Sequence, residues 1–231
     1  VGGGISGIYS GWRLLDNNHD LNVQLFEMSD RIGGRLLSLV PPGISDGNPV
    51  EVGGMRFTNS HPNIQGLVGN LGLQHAPLAA GKGSNLAYLR GKRLLQSDLT
   101  DVSKLPYTLG GDETTPQFLG NITAMAAVRS LQEAFQQVLN FELTIDTLAN
   151  VTEAQWRQVA EHGTFEGIPL SDTPMRYMML RSLSHEAFQL AEDSCGYDSI
   201  LFTWNGADGF PWNLADFAPG TVYYCIEGGY N

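Results

Sequence analysis

The chain has 231 residues, of which 42% are hydrophobic and 10% aromatic, so it has enough apolar side chains for a globular core and is not a disordered tail. Its formal net charge of -11 argues against nucleic acid or an anionic membrane surface as a partner, because a phosphate backbone is bound by a cationic face. Two cysteines are too few for a disulfide framework or a metal cluster, so we interpret Cys195 and Cys225 as packing residues, and no apolar run reaches the roughly 18 residues of a membrane span.

A glycine motif opens the chain, where residues 2–7 carry glycines at the spacing Gly-x-Gly-x-x-Gly. In a dinucleotide-binding fingerprint, the first glycine permits a tight turn after a strand, and the second lets backbone amides approach a pyrophosphate. The third lets the next helix pack closely on the sheet. The alternative is a glycine-rich turn that binds no ligand, and the flanking sequence is needed to distinguish the two interpretations. The glycines at these positions are Gly2, Gly4 and Gly7.

The sequence that follows this motif agrees with the fingerprint. Residues 8–15 are predicted to form the helix, and apolar residues alternate over 21–25 as they do in a strand. Glu27 ends that predicted strand and is placed to hold a ribose hydroxyl. Only Val1 precedes the glycines, so the first strand of the fingerprint is missing. Because the chain also ends in a turn-like sequence, we expect it to be the N-terminal fragment of a longer polypeptide.

A second glycine motif lies in residues 30–35, which read Asp-Arg-Ile-Gly-Gly-Arg. Paired glycines let the backbone approach a second phosphate, while the following arginine supplies planar, charge-assisted hydrogen bonds. A glycine turn with a solvated arginine is the alternative. The candidate residues of this motif are Gly33, Gly34 and Arg35.

A third glycine motif lies in residues 51–57, which read Glu-Val-Gly-Gly-Met-Arg-Phe. Two glycines ahead of Met and Arg allow the main chain to run against a flat ring system, with one cation directed into the cavity beside it. The candidate residues of this motif are Gly53, Gly54, Met55 and Arg56.

The middle of the chain changes character. Residues 58–115 carry short apolar runs broken by prolines and glycines, which predicts loops and short strands. Residues 86–89 and 93–95 are predicted to form the strands of a hairpin joined through 90–92, because a glycine between two short apolar runs suits a tight turn.

From Thr115 onward the pattern predicts helices. Apolar residues at spacings of three and four form one stripe across 128–138. A second helix is predicted over 153–162 with Thr152 as its cap. A third helical region is predicted over about 173–194, where we interpret the methionines as core residues.

The three glycine motifs and Glu27, in this order and at this spacing, resemble the flavin-containing amine oxidase superfamily. The resemblance is strongest to its bacterial-type L-amino acid oxidase branch, and the Met-Arg pair at 55–56 carries that assignment. Three further stretches resemble the helical insertion of bacterial members: 183–186, 193–198 and 204–208. The resemblance covers most of the chain.

The resemblance implies a mixed α/β and α+β fold, with a Rossmann-like FAD-binding domain of the GR2 type, a substrate-binding domain and a helical insertion. The expected domain limits are 1–57 for a partial FAD-binding domain, 58–115 for part of the substrate-binding domain, 116–218 for the helical domain and 219–231 for the return toward the substrate and FAD domains.

The resemblance also implies roles for the candidate residues. The first glycine motif would line the FAD pyrophosphate, Glu27 would bind the adenosine ribose, and the second motif would contact FAD further along. Residues 53–55 would lie against the isoalloxazine. Arg56, also counted among the cofactor contacts, would form a bidentate pair with the substrate carboxylate. A surface arginine or one that binds an FAD phosphate is the alternative.

The implied reaction is oxidative deamination of an L-amino acid to the 2-oxo acid, ammonia and hydrogen peroxide. Three alternatives remain open: a flavin monooxygenase of the tryptophan type, an amine or polyamine oxidase, and a redox-silent FAD-binding scaffold. Side-chain specificity is the least readable property. Asp208 or Asp216 is a candidate partner for a cationic substrate tail, and a packed aromatic loop over 204–212 is the alternative.

No residue is identified as a catalytic base. We interpret His61 and His185 as solvated or structural histidines, and we expect no metal site. The expected partners are an L-amino acid, oxygen, further copies of the chain in a homo-oligomer, and the rest of the polypeptide, whether continuous or a processed second fragment. The sequence predicts no particular localisation.

Overall fold

The computed structural model describes residues 2–43, 49–78, 83–195, 203–216 and 221–230, without the side chains of Cys195 and Asp216. It is a mixed helix and sheet structure that divides into two compact units. Unit 1 comprises Val1–Ala80 and Thr221–Asn231, and unit 2 comprises Gly81–Gly220. The functional domain limits expected from the sequence stay predictions.

The described strands of both units have two to four residues each, whereas the longest described helix has 18. The helices are α1 (Ile5–Asn17), α2 (Pro62–Asn70), α3 (Pro116–Gly120), α4 (Ile122–Leu139), α5 (Ile145–Leu148), α6 (Glu153–His162), α7 (Met175–Ser182), α8 (His185–Cys195) and α9 (Gly206–Asp216). The strands are β1 (Ser38–Leu39), β2 (Val50–Glu51), β3 (Phe57–Thr58), β4 (His75–Pro77), β5 (Leu86–Leu89), β6 (Lys92–Leu95), β7 (Thr164–Phe165), β8 (Ile168–Pro169) and β9 (Tyr223–Ile226). Short 3-10 helices cover Gln96–Thr100, Val102–Lys104, Gly111–Thr114 and Leu170–Asp172.

The helix predicted after the first glycine motif is confirmed, because α1 begins directly after Gly4. The strand predicted over 21–25 is wrong, since residues 21–27 form no strand. A strand needs a neighbour to pair its backbone N–H and C=O groups. The described residues give this segment no such neighbour, and its alternating apolar pattern is therefore not used in a ladder.

A three-stranded antiparallel sheet organises the rest of unit 1, with β9 between β3 and β4. Phe57 pairs with Tyr224 across β3 and β9, and their rings stack with centroids 5.5 Å apart. These rings pack with Val68 of α2 and Ile226 in a small hydrophobic core. Cys225 lies half-buried on β9 as a free thiol. One face of this sheet is therefore committed to packing.

The predicted hairpin of unit 2 is confirmed as β5 and β6, with Leu89 opposite Lys92. The second strand begins at Lys92, one residue before the predicted start. Arg90 and Gly91 both have positive φ, 45° and 78°, as the two central residues of a type I′ turn require.

The predicted helices of unit 2 are confirmed, with two interruptions. Helix α6 has the predicted bounds, whereas the helix predicted to start after Thr115 is broken at Asn121 and the region over 173–194 is broken after Ser182. The methionines predicted as core residues, Met175, Met178 and Met179, are fully buried. Large aromatic side chains are fully buried in the same core: Phe118, Phe135, Phe188 and Phe210.

No helix in the described ranges combines the length and the apolarity that a membrane crossing needs. Within the same ranges, no group of three or more His, Cys, Asp or Glu side chains is arranged to hold a metal ion.

Candidate functional site

The first two glycine motifs lie against each other. The Gly33 N–H donates to the Gly3 carbonyl at 2.8 Å, and Gly4 and Gly33 form a parallel bridge. Gly34 has φ +60°, and a Cβ atom at that position would stand 3.0 Å from the Cα of Gly4. The positive φ of Gly34 disfavours any residue with a side chain at this position. The close approach to Gly4 also means that a larger residue would force the two glycine motifs apart.

The third glycine motif joins the same assembly through the segment after Gly34. The Gly54 N–H donates to the Arg35 carbonyl at 2.9 Å, and the Val52 N–H donates to the Leu37 carbonyl at 2.8 Å. A Cβ atom on Gly53 would lie only 1.9 Å from the Arg35 carbonyl oxygen. Three motifs that are separate in the sequence thus form one surface of closely spaced main chain.

The N-terminus of α1 opens at this surface. Gly4 is the N-cap residue and provides no side-chain cap, and the first turn, which contains Gly7, has no acidic residue. The first N–H groups of a helix lack intrahelical acceptors and carry a partial positive charge. Such an end is suited to an anion such as a phosphate group.

Glu27 lies beside this turn, and the ribose-binding role expected for it stays a prediction. One of its carboxylate oxygens accepts the Gly3 N–H at 2.5 Å, and the other accepts the N–H and the hydroxyl of Ser29 at 2.8 and 2.9 Å. Donation from Ser29, and then from Gly3, lowers the pKa of Glu27 from its usual 4.5 to about 2. The carboxylate is therefore held ionised and in a fixed orientation, and the oxygen that accepts only the Gly3 N–H keeps capacity to accept a further hydroxyl donor.

The two arginines of the second motif have different roles. The Arg31 guanidinium donates to the carbonyl oxygens of Gly34 at 2.6 Å and Leu36 at 3.3 Å, so it holds the glycine turn closed. The Arg35 side chain is exposed and makes no hydrogen bond or ion pair with a described residue. Arg31 is thus the structural cation, and Arg35 is the one available to an anionic ligand.

A cleft of about 800 Å³ in unit 1 opens beside Glu27. Ile5 of α1 and Leu36 give it apolar walls, and Arg31 and Tyr230 also line it. The Tyr230 N–H donates to the Ser38 hydroxyl at 2.7 Å, which in turn donates to the Glu51 carboxylate at 2.8 Å. The cleft therefore combines one fixed carboxylate with apolar surface and the uncapped helix end.

Arg56, in the third glycine motif, is half-buried and directly precedes β3. Its guanidinium carbon lies 4.3 Å from the centroid of the Tyr223 ring on β9. A guanidinium over a ring at this distance makes a cation–π contact with the ring face. Met55, next to it, is 45% exposed and lies on the loop between β2 and β3.

The acidic specificity candidate lies in unit 2. Asp208 is in the first turn of α9, where its N–H donates to the Asn205 side-chain oxygen at 2.9 Å and its carboxylate accepts the Asn205 side-chain amide at 3.0 Å. These reciprocal bonds cap the helix. A substrate role for Asp208 stays a prediction, and the Asp216 side chain lies outside the described part.

The two histidine candidates occupy structural positions. His61 precedes α2, and its Nδ1 accepts the Thr58 N–H at 3.2 Å, so the ring closes the turn after β3. His185 is the exposed first residue of α8.

Sequence reasoning missed the residues that support the site. Ser29 has a local signal, because a hydroxyl residue soon after an acid often bonds to it. Tyr223 and Tyr230 are brought close to the glycine motifs only by the pairing of β9, and no pattern within the sequence indicates that pairing.

Comparison with known proteins gives one family. The sequence model of the family described as flavin containing amine oxidoreductase matches residues 5–225. Achacin from Lissachatina fulica is 39% identical over 121 residues, which are 51% of this chain and 22% of achacin. Aplysianin-A from Aplysia kurodai is 35% identical over 113 residues, 47% of this chain and 20% of that protein. Coproporphyrinogen III oxidase from Mycobacterium tuberculosis is 36% identical over 89 residues, 38% of this chain and 19% of that protein.

The matched part of this chain spans about a fifth of the length of these curated relatives. Because these relatives have different names, the matches identify the family but not the substrate. The substrate has to be inferred from the residues of the site.

Proposed function

This chain belongs to the flavin containing amine oxidoreductase family, and from that membership we propose that the protein is an FAD-dependent L-amino acid oxidase. The reaction converts an L-amino acid, oxygen and water into the 2-oxo acid, ammonia and hydrogen peroxide. Family membership implies FAD as the cofactor.

The residues of unit 1 fit an FAD molecule. The uncapped end of α1 and the exposed Arg35 suit the pyrophosphate, and the Glu27 carboxylate suits the hydroxyls of the adenosine ribose. The close approach of the glycine turns, which a Cβ atom would fill, leaves main chain rather than side chains facing the cofactor. We assign these residues to a Rossmann-like domain of the GR2 type. The assigned cofactor contacts are Gly2, Gly4, Gly7, Glu27, Gly33, Gly34, Arg35, Gly53, Gly54 and Met55.

Arg56 provides the selectivity for an amino acid over a plain amine. When bound, FAD supplies the capacity to accept the hydrogen of the substrate α-carbon and to pass the electrons to oxygen. The task of the protein is to orient that carbon, and Arg56 does so by gripping the carboxylate with two N–H groups in the guanidinium plane. Gly53 and Gly54, which precede this arginine in the same motif, support the proposal, because main chain without side chains can approach a flat ring closely.

The observation that carries the proposal is the half-buried Arg56 within the third glycine motif, with its guanidinium over the Tyr223 ring. A partly desolvated arginine whose position is held by an aromatic ring is well suited to bind a carboxylate. Homo-oligomer formation, a processed second fragment and the preferred substrate side chain stay predictions.

The test uses the full-length protein in a peroxide-coupled screen of the twenty L-amino acids, with Arg56→Ala beside the wild type. We expect peroxide, ammonia and 2-oxo acid in equal amounts. We also expect Arg56→Ala to raise KM and to lower kcat/KM by at least about thirtyfold, as for loss of one partner of an ionic contact. An amide product would indicate a monooxygenase, and turnover indifferent to the substrate carboxylate would indicate an amine oxidase. Flavin that no amino acid reduces without oxygen would indicate a scaffold, and each of these results would overturn the proposal.

A further inference from the structure

Arg56 and Tyr223 form a cross-strand pair on one face of the sheet. In β3 and β9, Phe57 lies opposite Tyr224 and Thr58 opposite Tyr223. Successive side chains of a strand point to opposite faces, so the residues adjacent to Phe57 and Tyr224 point away from the core that those two rings form. Arg56 and Tyr223 are therefore diagonal neighbours on the opposite face, close enough for a long side chain to reach an aromatic ring.

The backbone beneath Tyr223 is fixed on both sides. The Tyr223 carbonyl accepts the Leu78 N–H at 2.8 Å, on the β4 side of the sheet. On the β3 side, the Asn59 N–H donates to the Val222 carbonyl at 3.1 Å, and the Asn59 side chain accepts the Val222 N–H at 2.9 Å. A ring carried by the central strand of a three-stranded sheet has little freedom to move away from the arginine.

We propose that Tyr223 is a positioning residue that holds the plane of the Arg56 guanidinium for the substrate carboxylate. This inference rests on the proposed function. Carboxylate binding uses the N–H bonds in the guanidinium plane, and a ring with its centroid 4.3 Å from the guanidinium carbon limits the rotations that turn this plane.

An arginine side chain loses several freely rotating bonds when it binds a ligand in one orientation. If Tyr223 already restricts these rotations in the free protein, less entropy is lost on binding and the substrate binds more tightly. The phenol hydroxyl is not needed for this role, because the ring face makes the contact. Tyr223→Phe should therefore preserve the function, and a branched aliphatic residue should not.

The experiment measures carboxylate binding directly on the full-length, flavin-loaded protein. Benzoate serves as the probe, and its Kd is read from the change that it causes in the visible absorbance of the flavin. The variants are Tyr223→Phe, Tyr223→Leu and Arg56→Ala. Tyr224→Leu is the matched control, because Tyr224 is the adjacent tyrosine on the packing face and its loss should lower Tm without touching Arg56.

We expect Tyr223→Leu to weaken benzoate binding and to raise the amino acid KM by about tenfold, with kcat changed by less than about threefold, as a lost cation–π contact implies. Tyr223→Phe should stay within about twofold of wild type, since the ring face is kept. In the Arg56→Ala background, Tyr223→Leu should have no further effect, because the group that it positions is gone.

Wild-type benzoate affinity in Tyr223→Leu, with affinity lost in Arg56→Ala, would overturn the positioning role and leave the proposed function intact. Wild-type affinity in Arg56→Ala would overturn the proposed function itself. Equal weakening by Tyr223→Leu and Tyr224→Leu would show a general loss of the sheet and would also overturn the positioning role. Tyr223→Ile, which keeps strand propensity, replaces the leucine variant if that variant does not fold.

Discussion

Gly34 lies against Gly4, so that a Cβ atom on Gly34 would stand 3.0 Å from the Gly4 Cα. Gly34 also has φ +60°, which disfavours any residue with a side chain. The two effects are separable, because Gly72 in the same unit has φ +65° and nothing within 4 Å of a Cβ position.

We expect Gly72→Ala to lower the free energy of unfolding by about 1 kcal/mol, the cost of a left-handed backbone conformation alone. Gly34→Ala should cost more and should also reduce the flavin bound per protein, because the two turns must separate. Thermal unfolding and the ratio of flavin to protein absorbance measure both effects. If the two variants lose the same stability and keep the same flavin content, then contact between the glycine motifs is not needed for the site.

Glu27 is the second position where the site can be tested. Its pKa is lowered to about 2, first by the Ser29 N–H and hydroxyl and then by the Gly3 N–H. The folded-state pKa is below the usual 4.5, so the ionised carboxylate stabilises the fold above that pH and the contribution is lost as the pH falls toward 2.

Glu27→Gln should therefore lower Tm by a constant amount above pH 5, and the difference from wild type should shrink between pH 4.5 and 2. The variant should also bind FAD about tenfold more weakly, since a neutral amide accepts the ribose hydroxyls less well than a carboxylate. Glu227→Gln, at an exposed glutamate of the same unit, is the control and should change neither property. A difference in Tm that does not shrink in acid would contradict the assigned role of the Glu27 charge.

Local signals in the sequence predicted local structure well. Thr152 and Gln155 form a reciprocal capping box at the start of α6, and the helix has the predicted bounds. Gly91 marked the hairpin turn in the same way. Each signal acts between residues a few positions apart, so the sequence carries it without knowledge of the fold.

Contacts between distant segments could not be predicted. The glycine spacings indicated three turns, but not that Gly34 would lie against Gly4 or Gly53 against Arg35. An alternating pattern suggested a strand over 21–25 without saying whether a partner strand would pair with it. The sequence also could not tell whether Arg31 or Arg35 would hold the glycine turn. Both side chains have the same hydrogen-bond donors, and only the folded path of the backbone decides which of them reaches the turn carbonyls.

In unit 2, Arg129 joins one buried and one exposed acid. Glu113 is 5% exposed and accepts from Arg129 at 3.0 Å and from the Ser184 N–H at 3.0 Å. The Asp112 side chain is 69% exposed and accepts from Arg129 at 2.6 Å. The buried acid links the segment before α3 to α4 and to the junction of α7 and α8.

Glu113→Gln should lower the free energy of unfolding by about 2 kcal/mol or more, because a partly buried guanidinium loses its buried charge partner. Asp112→Asn should cost clearly less than Glu113→Gln, since exposed ion pairs contribute little. Denaturant unfolding of both variants measures the difference. Equal losses would mean that burial does not decide the strength of these two pairs.

The adjacent glycines Gly228 and Gly229 provide a closely matched comparison. Their φ angles are +83° and +92°, but a Cβ atom on Gly228 meets nothing within 4 Å, whereas one on Gly229 would stand 2.7 Å from the Ser38 hydroxyl oxygen. That hydroxyl accepts the Tyr230 N–H and donates to Glu51, the residue that begins the third glycine motif. The turn after β9 is therefore pressed onto the segment that leads to Arg56.

Both alanine variants should lose about 1 kcal/mol from the positive φ alone. Gly229→Ala should lose more, because the added methyl group displaces Ser38 and breaks the bonds to Tyr230 and Glu51. Since Glu51 begins the motif that contains Arg56, we also expect Gly229→Ala, and not Gly228→Ala, to raise the amino acid KM. Ser38→Ala should reproduce the rise in KM without any backbone strain, because it removes the same hydrogen bonds. A normal KM in Ser38→Ala together with a raised KM in Gly229→Ala would assign the effect to the turn conformation and not to the hydrogen bonds through Ser38.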